Sequence, residues 1–161
     1  MKIIQPKGTL NELGYKERVE NYIDYAEQRF EEYCKTKSFH YKKLLFNDDA
    51  DFGNSPIPYF HKLGILSALP DYFVYSKENS QQRKSQFFVE VKASNKLKLK
   101  DLKKYITFAQ MFCDSRYTQY TICFAFKDGL KFKSVDQILK LLPQSKIQTW
   151  NDGIEYYLLP I

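Results

Sequence analysis

A chain of 161 residues with 25 Lys and Arg against 19 Asp and Glu, and 43% hydrophobic residues, has a globular composition and a formal net charge of +6. At this length a single domain, 1–161, is expected, large enough to bury roughly two thirds of its unfolded surface, and the positive balance favours a polyanionic partner without naming one. Three widely spaced cysteines with no CxxC pair indicate neither a zinc site nor a disulfide framework, and the absence of a signal-like or membrane-length apolar run leads to the expectation of a soluble, cytoplasmic protein with no membrane partner.

The first periodic segment is 15–35, where Val19, Tyr22, Ile23, Ala26, Phe30, Tyr33 and Cys34 form one helical stripe. Glu20, Glu27 and Glu31 flank that stripe, with Glu27 nearest to it. A strand is expected at about 39–46, FHYKKLLF, followed by the loop NDDADFGNSPIP. The Asp48, Asp49 and Asp51 run fails as an EF-hand, because the closing Glu position, counted from Asp49, is Phe60. After an ambiguous stretch at 59–67, two strands, YFVYS and QFFVEVKA, are joined by a polar loop. Asp101 is expected to cap a helix burying Leu102, Tyr105, Ile106, Ala109 and Phe112. The β-rich run TQYTICFAF ends in a Lys127-Asp128-Gly129 turn. Ser134 and Gln137 form a capping-box signature for VDQILKLL, which Pro143 stops, and a final hairpin turns at Asn151-Asp152-Gly153. Cys34, Cys113 and Cys123 fall in apolar patterns, and His40 and His61 have no ligand or base partner by spacing, so all five read as structural.

The chemistry concentrates in 69–94. Alternation along QFFVEVKA sends Phe88, Glu90 and Lys92 to one face and Phe87, Val89 and Val91 to the other. Asp71, after Pro70, stands at the mouth of the preceding strand. A charged pair on an apolar strand costs several kcal/mol of desolvation unless it is paired or metal-bound. Asp71 and Glu90, with the backbone carbonyl of Val91 as a third oxygen, can hold a hard divalent cation. Lys92 can orient or deprotonate an attacking water, or stabilise developing charge. Downstream, Lys96, Lys98, Lys100, Lys103 and Lys104 are candidates for nucleic-acid phosphate contacts.

Pro70-Asp71 in LPDYFVY and Glu90-Val91-Lys92 in FFVEVKAS resemble the PD-(D/E)xK nuclease superfamily, which includes restriction-endonuclease-like enzymes and archaeal Holliday-junction resolvases. The resemblance spans about two thirds of the chain. It implies an α/β fold, a mixed central sheet flanked by helices with an αβββαβ core, here with a C-terminal helix and hairpin appended. It also implies a Mg²⁺- or Mn²⁺-dependent endonuclease hydrolysing phosphodiester bonds, in DNA rather than RNA, with Asp71 and Glu90 as metal ligands and Lys92 acting on the attacking water. Members often add a Glu from the first helix, for which Glu27 is preferred, Glu20 is second and Glu31 third. They also often place a Gln or Lys on the helix after Glu-x-Lys; Lys103 or Lys104 can fill that role here, and Gln110 lies too far along. Two other readings stand beside this one, a non-catalytic nucleic-acid-binding module and a subunit active only within a DNA repair or recombination complex. A homodimer through Trp150, Tyr156 and Tyr157 is a further expectation.

Overall fold

The computed structural model describes residues 24–44, 69–76, 86–114 and 117–161. Helix α1 (Asp24–Thr36) leads into strands β1 (Phe39–Lys43), β2 (Tyr72–Ser76), β3 (Gln86–Lys92) and β4 (Lys96–Lys98). Helix α2 (Leu99–Phe112), strands β5 (Thr118–Phe126) and β6 (Gly129–Ser134), helix α3 (Val135–Leu141) and strands β7 (Lys146–Thr149) and β8 (Glu155–Leu158) complete the order. A five-stranded sheet runs β1-β2-β3-β5-β6 and a three-stranded sheet runs β4-β8-β7. Only β3 and β5 pair in parallel in the larger sheet, because α2 carries the chain back between them; its other pairs are antiparallel. The fold is therefore mixed α/β: the expected helix, three strands, helix and strand follow in order, with β4 of the smaller sheet inserted between β3 and α2.

The larger sheet buries both faces. On one side Ala26, Phe30 and Cys34 of α1 pack on Tyr72, Val74, Val89, Val91, Cys123 and Ala125. On the other, Leu102, Tyr105 and Phe108 of α2 and Val135 and Ile138 of α3 pack on Tyr120, Ile122 and Phe124. β5 is apolar on both faces because it is the strand covered from both sides. The Arg29 guanidinium donates to the Phe126 carbonyl, tying α1 to the end of β5. Most of the aromatic load serves this packing, as in the contact of Phe88 with Phe108 at 5.0 Å and of Phe30 with Tyr72 at 5.0 Å. Cys34 and Cys123 are buried free thiols, their pKa pushed up to about 12 by burial, and His40 stacks on Tyr75 at 5.0 Å, so these three are packing residues.

Several local expectations need correction. α2 begins at Leu99, after Lys98 with no side-chain cap, because β4 runs straight into it; Asp101 lies inside the first turn, complementing the helix dipole instead of capping it. Phe112 is 52% exposed, and Phe108 takes the buried place assigned to it. The C-terminal hairpin does not stand alone: β8 pairs with β4, which the lysine-rich pattern of NKLKLK concealed. Of the rings named for a dimer contact, Trp150 and Tyr157 are half-buried and Tyr156 is 5% exposed. The capping box is present as read, Gln137 N–H donating to Ser134 Oγ at 3.2 Å and Ser134 N–H to Gln137 Oε1 at 3.0 Å. Val19, Glu20, Tyr22, Ile23, the 48–51 acidic run, the 59–67 stretch and His61 lie outside the described residues.

Ile122, fully buried between α2 and α3, sets the core's sensitivity. Ile122→Ala should lower unfolding free energy by roughly 2–5 kcal/mol, whereas Phe112→Ser should cost under about 1 kcal/mol. Urea denaturation of both variants checks the contrast.

Candidate active site

Three elements meet at the end of β3. The antiparallel register pairs Tyr72 with Val89, so the residues just before β2 lie beside Glu90 and Val91. There the Val91 amide donates to Asp71 Oδ2 at 2.7 Å, and the Leu44 amide donates to the Asp71 carbonyl oxygen at 2.8 Å. Asp71 is thereby fixed from both neighbouring strands, its carboxylate against β3. Pro70 ahead of it is fully buried, which explains the rigid approach of the Pro-Asp turn.

Glu90 is 8% exposed on the face that looks toward α2. Its Oε1 accepts from Lys92 Nζ at 2.6 Å and from the Tyr105 hydroxyl at 2.8 Å. Both donors converge on one oxygen, and neither uses Oε2. The Tyr105 ring also lies 5.7 Å from Lys92 Nζ, so the same aromatic side chain braces both members of the Glu-x-Lys pair. Tyr105 stacks in turn on Tyr120 at 5.3 Å, which orients it.

The electrostatics follow from this crowding. Burial, then the charge of Glu90, and more weakly that of Glu27, push the Asp71 carboxyl up to about 7 against the pull of the Val91 amide and Lys92. Burial alone would lower the pKa of Lys92, but the charge and hydrogen bond of Glu90, joined by Asp71, outweigh it and raise the net value. Lys92 is thus held as a cation, suited to orienting and stabilising anionic groups and unsuited, in this state, to accepting a proton. Burial and the adjacent Glu90 drive the Tyr105 hydroxyl strongly upward, keeping it a donor.

The first helix brings Glu27 and Glu31 to the sheet in different ways. Glu27 is 7% exposed and its charge reaches Asp71, but its Oε2 is engaged by Lys43 Nζ. Glu31 accepts from the hydroxyls of Tyr72 at 2.8 Å and Tyr41 at 3.3 Å, an anchoring role between α1 and the sheet. Glu20 lies outside the described residues. Lys100 and Lys103 are exposed on α2 and Lys104 is half-buried, while Gln110 sits toward the far end of that helix. Lys96 and Lys98 belong to β4, not to a helix start. Sequence reasoning missed Tyr105 and Lys43. Tyr105 read as one more buried ring of the helix, and Lys43 as an interior residue of the strand expected at about 39–46, with no role of its own. The signal for the first was present in its position on the helix that follows Glu-x-Lys; for the second there was none.

Among the described residues no group of three His, Cys, Asp or Glu side chains converges closely enough to form a complete ligand cluster. What is present is a pair, Asp71 and Glu90, whose mutual repulsion shows in the raised carboxyl of Asp71. One or two carboxylates completed by waters suit Mg²⁺, so the donor set fits a hard divalent cation.

No family model matches the chain, and no curated protein matches it. Among solved structures it is similar to Hjc of Archaeoglobus fulgidus, a Holliday junction resolvase from an archaeal hyperthermophile. The identity is 13%, the match covers 84% of this chain and 86% of that one, and the TM-score is 0.45.

The Asp71 shift has a thermodynamic consequence in metal-free buffer. The folded carboxyl binds its proton more tightly than the unfolded value of 3.8 allows, so stability falls as pH rises from about 4 to about 7. Asp71→Asn, which keeps an acceptor for the Val91 amide, should stabilise the protein by roughly 1–3 kcal/mol above pH 8 and by almost nothing below pH 4. Urea unfolding in EDTA at both extremes measures it.

Proposed function

We propose that the protein is a divalent-metal-dependent nuclease that hydrolyses phosphodiester bonds in DNA. The observation that carries the reading is the 2.7 Å hydrogen bond from the Val91 amide to Asp71, which brings the Pro-Asp carboxylate to the strand holding Glu90 and Lys92. That contact joins, in space, two motifs twenty residues apart whose spacing resembles the PD-(D/E)xK nucleases.

Asp71 and Glu90, with the Val91 carbonyl, would hold Mg²⁺ or Mn²⁺, which supplies Lewis acidity and a more acidic bound water. Lys92, kept cationic by Glu90 and Asp71, orients the incoming water and stabilises charge developing on the phosphoryl oxygens during in-line attack. Tyr105 acts through Glu90: by filling Oε1 it fixes the carboxylate rotamer and leaves Oε2 for other work. Glu27 adds negative charge behind Asp71 while Lys43 limits its effect. The cationic residues Lys96, Lys98, Lys100, Lys103 and Lys104 supply phosphate contacts.

A second reading has one observation in its favour. Glu90 pairs with Lys92 and Glu27 with Lys43, so both buried glutamates are already neutralised without a metal. A nucleic-acid-binding module with a self-paired remnant of the cluster fits that arrangement. The two readings separate in a cleavage panel over linear, branched and single-stranded DNA and RNA with Mg²⁺ or Mn²⁺. The nuclease reading predicts metal-dependent cleavage of DNA, lost by at least about 100-fold in Lys92→Ala and in Glu90→Gln. Salt-sensitive binding with no cleavage under either metal, or a folded Glu90→Gln protein that cuts at the wild-type rate, would contradict it.

A further inference from the structure

The second sheet concentrates charge away from the carboxylate cluster. Its register places Lys96, Leu158 and Lys146 in one row and Lys98, Tyr156 and Gln148 in another, two residues along. Residues two apart on a strand share a face, so Lys96, Lys98, Lys146, Gln148 and Tyr156 lie together. The opposite face carries Leu97, fully buried, and Tyr157, packed against the core. The lysine face is the one turned from that core; Tyr156 is only 5% exposed on it because Trp150 and Lys96 lie on its ring, and on the opposite face Ile147, at the edge strand, is 56% exposed.

Its cations are positioned by rings. Trp150 stacks on Tyr156 at 4.3 Å and 26°, and the Tyr156 hydroxyl donates to Gln148 Oε1 at 2.8 Å. Lys96 Nζ lies 5.3 Å from the Tyr156 ring centre and Lys98 Nζ 5.7 Å from that of Trp150. No carboxylate among the described residues forms an ion pair with Lys96, Lys98 or Lys146. A ring attracts an ammonium group without occupying its N–H donors as a carboxylate would, so the positive charge of this face stays uncompensated. Trp150 is already committed to Tyr156, so the rings brace the lysines and do not offer a platform for unpaired bases. β4 starts four residues after Lys92, which keeps the two Cα atoms of Lys92 and Lys96 within about 14 Å.

We propose that this lysine-and-aromatic face is a docking surface for the sugar-phosphate backbone of duplex DNA, holding it beside Asp71, Glu90 and Lys92. The choice of DNA rests on the nuclease reading; the polyanionic partner rests on the face itself.

Trp150 is the single tryptophan of the chain, so its emission reports on this surface alone. The experiment titrates the full chain with a short duplex, and with single-stranded DNA of equal length, in EDTA, following Trp150 emission and the anisotropy of labelled DNA across salt concentrations. Duplex binding is expected to shift the emission. Lys96→Ala, Lys98→Ala and Lys146→Ala should each reduce the slope of log affinity against log salt by about 1. Lys146→Glu, at an exposed position of an edge strand where the core is untouched, should weaken duplex binding at least tenfold, which keeps the test decisive if an alanine variant fails to fold. Duplex binding with unmoved emission, a wild-type salt slope in the folded lysine variants, or an effect confined to single-stranded DNA would overturn the proposal. Because binding is read in EDTA, apart from turnover, absence of cleavage in the Mg²⁺ and Mn²⁺ panel with this binding intact would sink only the nuclease reading. Cleavage with unmoved emission would sink only the docking surface.

Discussion

Burying a carboxylate is costly, and burial of Asp71 beside the charge of Glu90 is the constraint around which the rest of the site is built. The fold meets it with three donors from two elements: from β3 the Val91 amide on Asp71 and Lys92 on Glu90, and from α2 Tyr105 on Glu90. None of these fully relieves the pair, since Asp71 still takes up a proton far more readily than an ordinary aspartate.

The secondary structure makes this arrangement inevitable once the register is set. Antiparallel pairing of β2 with β3 brings the residue before β2 against Val91, and the parallel pairing of β3 with β5 demands a crossover helix, which lays Tyr105 over Glu90. On the other face α1 offers Glu27 toward the same end of the sheet. A one-residue slip of β3 would send Glu90 and Lys92 into the apolar layer beneath α1, so burial of Val89 and Val91 and presentation of the charges are the same structural choice.

Much of this was legible in sequence. The period-2 pattern of QFFVEVK assigned Glu90 and Lys92 to one face, the 3.6-residue stripe of the first helix put Glu27 nearest the core, and Ser134 with Gln137 marked a helix start that is realised in both hydrogen bonds. These succeed because each depends on local geometry. What escaped depends on tertiary partners. The hydroxyl of Tyr105 has no local signature, and Lys43 reaches Glu27 across 16 residues of sequence. NKLKLK looks like a solvated helix entry until β8 arrives to pair with it, and that pairing also fixes where α2 begins. The second sheet, with its lysines braced on Tyr156 and Trp150, was hidden for the same reason.

The proposed role of the Asp71–Glu90 pair, to hold a hard divalent cation, can be measured directly. Titration calorimetry with Mn²⁺ tests it without substrate. A single site is expected in the wild-type protein, weakening as pH falls below about 7 as Asp71 takes up its proton, and abolished in Asp71→Asn and Glu90→Gln proteins that remain folded. Absence of Mn²⁺ binding by the wild-type protein, or unchanged binding in both variants, would contradict it.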